Sequence, residues 1–228
     1  MNFLPQKISR RQAILALLGG TGLGLIGLRI HSALTGPGPD PSLTMDKDLI
    51  GVLLPSPRAL QPFALTDHEN RPFDPQRLLK KWTFLFFGYT HCPDVCPVSM
   101  GLLAEVYALL EKQPGGLAAI QGVFVSVDTQ RDTTELLKAY VPYFHPEFLG
   151  VTGPQEQIRA FSKQLGAYYV LPSPSDKGDD SSLISHSSVF FLLDPKGQFV
   201  ALFQPQMHQP AIIAELFGKI RKHYGESP

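Results

Sequence analysis

The chain has 228 residues, with 20 basic and 20 acidic side chains, and 43% of its residues are hydrophobic. This length accommodates a short terminal segment and one domain with a well-buried core. The absence of net charge removes the field that attracts polyanions, so we expect no nucleic-acid partner. The chain has only two cysteines. They are separated by three residues, a concentration typical of a functional site.

The first 34 residues differ in composition from the rest of the chain. Lys7, Arg10 and Arg11 precede a nearly uncharged run over residues 13–28, the order found in signal and anchor segments. The adjacent arginines resemble a twin-arginine export signal. The basic end is predicted to stay in the cytoplasm, which places the domain on the periplasmic or other extracytoplasmic side of the membrane. An uncleaved anchor is favoured because no small-x-small cleavage site follows, and a cleaved signal remains the alternative.

A proline-rich stretch, residues 35–58, follows this segment. Large apolar residues are few there, and the composition is that of a semi-extended spacer. Its prolines are Pro37, Pro39, Pro41, Pro55 and Pro57. The sequence therefore predicts a domain over residues 59–228, held away from the membrane.

The first half of this domain predicts alternating strands and helices. The continuous apolar run 82–87 is typical of a central strand buried on both faces. Pro97 favours a helix start, and apolar residues recur at helical spacing up to residue 110. Residues 123–127 predict a second buried strand, and a helix is expected from Asp132, with Glu135 completing a capping box.

Further elements are predicted on both sides of this half. They are a hairpin of residues 63–66 and 71–73, a helix over 155–165, a strand over 168–171, a polar loop over 172–182, a hairpin of residues 188–193 and 198–203, and a helix over 211–220. Strand-helix-strand followed by hairpin-helix, around one cysteine-bearing turn, indicates an α/β protein. We predict a thioredoxin-like fold, a central mixed β-sheet flanked by helices.

Cys92 and Cys96 lie between the predicted central strand and the helix after it, where ligands collect in α/β sheets. On a helical turn, a spacing of four would put both sulfurs on one face, within reach of a disulfide or a shared metal. The helix N-terminus is expected to lower the thiol pKa values. Thiolates are soft ligands that suit copper(I), and an added imidazole also accommodates copper(II). Inert thiols and a structural disulfide remain alternatives.

His186 is the best candidate for a third ligand, because it follows a polar loop, directly precedes a predicted buried strand and in this topology would lie near the cysteine-bearing turn. A solvent-facing loop histidine is the alternative. His91 adjoins Cys92 and is expected at the surface or beside the ligands, where it could tune them. Asp128 fits either a supporting acid or a turn. Met207 and His208 could form a soft-metal pair, but a loop is the favoured interpretation.

The chain resembles the Sco/SenC family of cytochrome c oxidase assembly proteins. The segments that carry the resemblance are 87–97, 125–133, 149–153, 186–187 and 191–197. The resemblance implies a thioredoxin-like fold with an N-terminal anchor. It also implies that Cys92, Cys96 and His186 hold copper to assist maturation of the oxidase's binuclear copper centre. Two positions depart from the family pattern, since Ser185 stands where an acid is common and Thr129 where a proline is common.

Three functions compete on this fold. A copper chaperone would bind one copper ion, receive it from a donor chaperone and pass it to the copper-receiving subunit of the oxidase. A thiol-disulfide oxidoreductase would instead use Cys92 and Cys96 as a redox-active pair to keep oxidase cysteines reduced, without a histidine ligand. A peroxidase or redox sensor with one activated cysteine ranks third.

Overall fold

A computed structural model describes residues 46–171 and 184–225 of the chain. The predicted signal or anchor segment and the predicted loop over residues 172–182 lie outside the described residues. The structure divides into the units Met1–Thr44 and Met45–Pro228, and everything described belongs to the second. Within the described ranges, every helix is too short or too polar to cross a membrane.

Strands and helices alternate along the described chain. The strands are β1 (Leu53–Ala59), β2 (Leu65–Asp67), β3 (Pro72–Phe73), β4 (Trp82–Gly88), β5 (Ile120–Ser126), β6 (Leu149–Thr152), β7 (Tyr169–Val170), β8 (Ser185–His186), β9 (Phe190–Leu193) and β10 (Gln198–Phe203). The helices are α1 (Val95–Glu111), α2 (Thr134–Tyr140), α3 (Gln155–Leu165) and α4 (Pro210–His223). Short 3-10 turns lie at Lys47–Leu49, Pro75–Leu78 and Val141–Tyr143.

Eight strands form one mixed sheet in the order β1-β10-β9-β4-β5-β6-β2-β3. The central strands β4, β5 and β6 are parallel, and the strands outside them pair antiparallel. The predicted central mixed sheet with flanking helices is therefore confirmed. β7 and β8 form a separate two-stranded ribbon, called here the β7–β8 ribbon.

The core lies on both faces of β4, all seven residues of which are buried. Trp82 and Phe84 contact Phe217 of α4, with ring centroids 5.6 Å and 5.1 Å apart. This confirms the prediction of a strand buried on both faces. Because β4 is so fixed, the turn that follows it starts from a well-defined position.

The structure differs from the sequence prediction at the start of the domain. Part of the predicted spacer, from Leu53 onward, forms strand β1, which pairs with β10. The guanidinium of Arg58 lies 5.0 Å from the centre of the Phe199 ring. β1 accommodates Pro55 and Pro57 because it is an edge strand, where a missing N–H removes no sheet hydrogen bond. The predicted boundary at residue 59 thus falls inside the sheet.

Candidate functional site

The two cysteines lie in the turn between β4 and α1, called here the cysteine turn (residues 89–96). Cys92 precedes the helix, and its N–H donates to the Tyr89 carbonyl over 3.3 Å. Cys96 lies in the first turn of α1, and its N–H donates to the Cys92 sulfur over 3.4 Å. The N-cap residue Asp94 makes no side-chain capping bond. The Cys92 sulfur therefore accepts a hydrogen bond from one of the first-turn N–H groups at the positive end of the helix.

This geometry differs from the predicted pair on one helical face, because Cys92 lies outside the helix. Cys96 is fully buried, whereas Cys92 is partly exposed, and both are free thiols. Burial raises the pKa of the Cys96 thiol, so the prediction that the helix N-terminus lowers both thiol pKa values is wrong for Cys96. The two sulfurs consequently have different chemistry, one accessible and one kept protonated at neutral pH.

Gly88 makes room for the buried sulfur. A Cβ atom at this position would lie 2.9 Å from the Cys96 sulfur and 2.8 Å from the Phe124 ring, closer than Cβ atoms normally approach such groups. The last residue of β4 therefore has to lack a side chain for Cys96 to pack against it.

A buried carboxylate, that of Asp132, holds the cysteine turn to the neighbouring strand. It accepts hydrogen bonds from the Thr90 N–H (2.9 Å), the Thr90 hydroxyl (2.6 Å) and the Ser126 hydroxyl (2.6 Å). Sequence reasoning assigned Asp132 to a helix cap, but the cap of α2 is Thr133, whose side chain accepts from the Leu136 N–H. The available signal was its position just past the end of a central strand, where polar groups converge.

His91 and Asp128 lie beside this carboxylate. The Nδ1 atom of His91 is 3.1 Å from the Thr90 hydroxyl and 3.7 Å from Asp132 Oδ1. Asp128 forms an ion pair with Arg131, and its N–H donates to Ser126. Potential ligand atoms of His91, Asp128 and Asp132 all lie within 4.8 Å of one another. The Asp132 carboxylate is, however, already engaged by Thr90 and Ser126, and the Asp128 carboxylate by Arg131, which fits a supporting role.

His186 lies in β8, where its backbone is opposite Tyr169; its side chain is outside the described part of the structure. The backbone on either side of it is held by hydrogen bonds. The Ile184 N–H donates to the Tyr89 hydroxyl over 3.2 Å, and the Ser187 N–H donates to the Tyr168 carbonyl over 2.8 Å. Tyr89, a residue that sequence reasoning did not single out, thus connects the segment around His186 to the cysteine turn.

The cysteine turn and the segment around His186 face one cavity of ≈ 540 Å³. Its lining residues are Tyr89, Cys92, Pro93, Asp94, Val95, Ile184, Ser185 and Ser188. The structure therefore brings together the accessible sulfur and the backbone on both sides of residue 186.

Met207 and His208 lie in the turn before α4. Met207 is 72% exposed, and the His208 ring accepts a hydrogen bond from the Gln204 N–H over 3.2 Å through Nδ1. The histidine thus stabilises its own turn, which fits the favoured loop interpretation.

Comparison with known proteins agrees with this arrangement. The sequence model of the SCO1/SenC family matches residues 54–221. The chain belongs to the SCO1/SenC family. The predicted resemblance is thereby confirmed, and it extends over β1, which sequence reasoning had left outside the domain.

Individual SCO1/SenC relatives match the same part of the chain. Mitochondrial protein SCO2 of Saccharomyces cerevisiae is 38% identical over 139 residues, 61% of this chain and 45% of the yeast protein. A Stutzerimonas stutzeri protein described as copper-binding is 36% identical over 162 residues, 69% of this chain and 77% of that protein. The match covers about half the length of the yeast and bovine SCO2 proteins, 45% and 50%.

Solved structures of the family show the same fold. Copper-bound ScoI of Arabidopsis thaliana superposes with a TM-score of 0.64 at 32% identity, covering 71% of this chain and 98% of that one. Yeast Sco1 gives 0.66 at 31% identity, covering 72% and 98%. These structures share the thioredoxin-like arrangement predicted from the sequence.

Proposed function

We propose that this chain is a copper chaperone that binds one copper ion through Cys92, Cys96 and His186. The observation that carries the proposal is the shared cavity, into which the cysteine turn and the segment around His186 both face. Copper-bound structures of Arabidopsis ScoI and yeast Sco1 support it. In this proposal copper is cargo, held and then passed on by ligand exchange.

The donor set fits copper. Two sulfurs and one imidazole are the soft and intermediate ligands that copper(I) and copper(II) accept. The Cys92 sulfur already accepts a hydrogen bond from the Cys96 N–H and is partly exposed, so it can be reached from the cavity. Burial raises the pKa of Cys96, so loading copper there has to displace that thiol's proton. Retention is consequently expected to weaken as the pH falls.

We infer that the receiving partner is the copper-binding subunit of cytochrome c oxidase and that a donor chaperone supplies the metal. Family membership supports the first inference, and the second follows from the need of a copper chaperone for a source of metal. Residues 1–34 are proposed to be an anchor or signal segment and the residues up to β1 a spacer, with the domain in the periplasm or another extracytoplasmic compartment. The basic residues ahead of the apolar run support this orientation.

The test is copper stoichiometry and absorption of the reduced full-length chain, compared with His186→Ala and Cys96→Ser. We expect one copper per chain with a thiolate-to-copper(II) band in the wild type, and loss of both in each variant. His223→Ala is the matched control, because His223 lies at the end of α4 and contacts Tyr224. Unchanged copper retention in His186→Ala would remove histidine from the ligand set.

A thiol-disulfide oxidoreductase is the second candidate, favoured by the unequal exposure of the two sulfurs. The partly exposed Cys92 would attack a substrate disulfide as a thiolate, and Cys96 would then resolve the mixed disulfide. The reduced substrate leaves, and a Cys92–Cys96 disulfide remains. This reaction needs no histidine, so His186→Ala should keep its rate while Cys92→Ser abolishes it. Reduction of a model disulfide peptide, followed by mass spectrometry, measures both.

A further inference from the structure

The β7–β8 ribbon carries His186 but is separate from the main sheet. Its strands have two residues each, pairing Tyr169 with His186 and Val170 with Ser185. Strands this short are marginal alone. The position of the ribbon relative to the cysteine turn therefore depends on contacts made outside its own ladder.

One such contact runs through Gln155, the first residue of α3. Its side-chain oxygen accepts a hydrogen bond from the Thr129 hydroxyl over 2.8 Å. Its side-chain nitrogen donates to the Tyr169 hydroxyl, also over 2.8 Å. Both ends of the amide are thus used, and the three side chains form a continuous hydrogen-bonded link.

One end of this link lies near the cysteine turn, and the other lies in the β7–β8 ribbon. Thr129 follows Asp128 just past β5, and β5 ends beside β4, with Ser126 opposite Gly88. The cysteine turn begins at that same edge. Tyr169, at the other end, is the residue directly opposite His186 in the ribbon. The link therefore joins the edge that carries the cysteines to the strand that pairs with the histidine.

We propose that Thr129 and Gln155 are positioning residues that hold the β7–β8 ribbon in place over the cysteine turn and thereby raise copper affinity. The second half of this proposal rests on the proposed copper-binding function. The first half concerns the apo protein, and it is tested without metal.

The first experiment is amide hydrogen exchange of the full-length apo chain, comparing Thr129→Val with the wild type. Removing the hydroxyl breaks the link while nearly preserving side-chain volume. We expect the amides of Tyr168 and Ser187 to exchange about fivefold faster, the factor that corresponds to one neutral hydrogen bond of about 1 kcal/mol. Thr134→Val is the matched control, since its hydroxyl bonds Asn70 at an exposed site.

The second experiment is chelator competition for copper on the same variants. We expect Thr129→Val and Gln155→Leu to retain copper about fivefold less tightly, with a shifted thiolate-to-copper(II) band. Thr129→Ser, which keeps the hydroxyl, should restore both properties. A merely structural role would lower the thermal midpoint without moving the band.

The outcomes test the positioning role and the effect on copper affinity separately. Unchanged ribbon exchange in Thr129→Val, or equal acceleration in Thr134→Val, overturns the positioning role. Faster exchange with unchanged copper affinity overturns the affinity claim. If the wild type binds no copper, the proposed function fails, while faster ribbon exchange would still support the link.

Discussion

The cysteine turn and the β7–β8 ribbon face the same cavity but are built differently. The cysteine turn follows a fully buried strand and is anchored by Asp132, which accepts three hydrogen bonds. The ribbon has two residues in each strand; its Val170 is 47% exposed, and Tyr168, directly before it, is 69% exposed. The two sulfurs of the proposed ligand set thus lie against the core, whereas the histidine lies on a short ribbon that, among the described residues, is linked to the domain by the Gln155–Tyr169 and Tyr89–Ile184 hydrogen bonds.

This difference bears on how a metal could be released. Among the described residues, opening the ribbon would break the Gln155–Tyr169 and Tyr89–Ile184 hydrogen bonds, whereas moving the sulfurs would disturb β4 and the Asp132 network. Local openings of weakly packed segments cost less than global unfolding. We therefore expect the histidine side of the site to move while the sulfur side stays in place.

The largest expected effect comes from Asp132→Ala. Hydrogen bonds to a charged acceptor contribute more than neutral ones, and losing this acceptor leaves buried donors from Thr90 and Ser126 unsatisfied. We expect a loss of about 3 kcal/mol in the free energy of unfolding, measured by urea denaturation. Asp94→Ala is the control, because Asp94 is exposed and makes no capping bond. Equal effects of the two substitutions would show that the buried network does not hold the turn.

The second prediction tests whether the cysteine turn packs as part of the core. Gly88→Ala would place a methyl group against the Cys96 sulfur and the Phe124 ring. We expect about 2 kcal/mol of destabilisation from this overpacking. Gly101→Ala, within α1, meets no atom within 4 Å and should stabilise the chain by up to about 1 kcal/mol. Thermal midpoints moving in opposite directions would confirm the contrast, and a tolerated Gly88→Ala would contradict it.

The third effect depends on pH. Burial raises the pKa of Cys96, so the folded chain keeps this proton while the unfolded chain loses it above about pH 8.5. The stability contributed by Cys96 is therefore present below that pH and lost as the pH rises, by about 1 kcal/mol per pH unit. Urea midpoints between pH 8 and 9.5 should fall less steeply in Cys96→Ala than in the wild type. An equal reduction of the slope in Cys92→Ala would show that burial does not separate the sulfurs.

The sequence predicted the core better than the connections that shape the site. Continuous apolar runs are sufficient to predict buried strands, which is why β4 and β5 were found. Strand β1 was missed because two of its seven residues are prolines, which usually mark a non-strand segment, and its pairing with β10 shows that it is an edge strand. Asp132 was assigned to the wrong role because the sequence alone does not distinguish an Asp that caps a helix from a buried Asp that holds a turn by hydrogen bonds. The Tyr89–Ile184 contact joins residues 95 positions apart, so local spacing carries no sign of it.

The smallest global effect is expected from Ser187→Ala, directly after strand β8 of the ribbon. The Ser187 hydroxyl accepts from the Tyr168 N–H over 3.1 Å, so its loss should loosen the ribbon locally. We expect the Tyr168 amide to exchange about fivefold faster, while the global free energy of unfolding changes by less than about 0.5 kcal/mol. Thr133→Ala removes a hydroxyl that caps α2 and should lower global stability by about 1 kcal/mol. An equal global loss in both variants would mean that the ribbon unfolds only with the sheet, and that the two sides of the site are not mechanically separate.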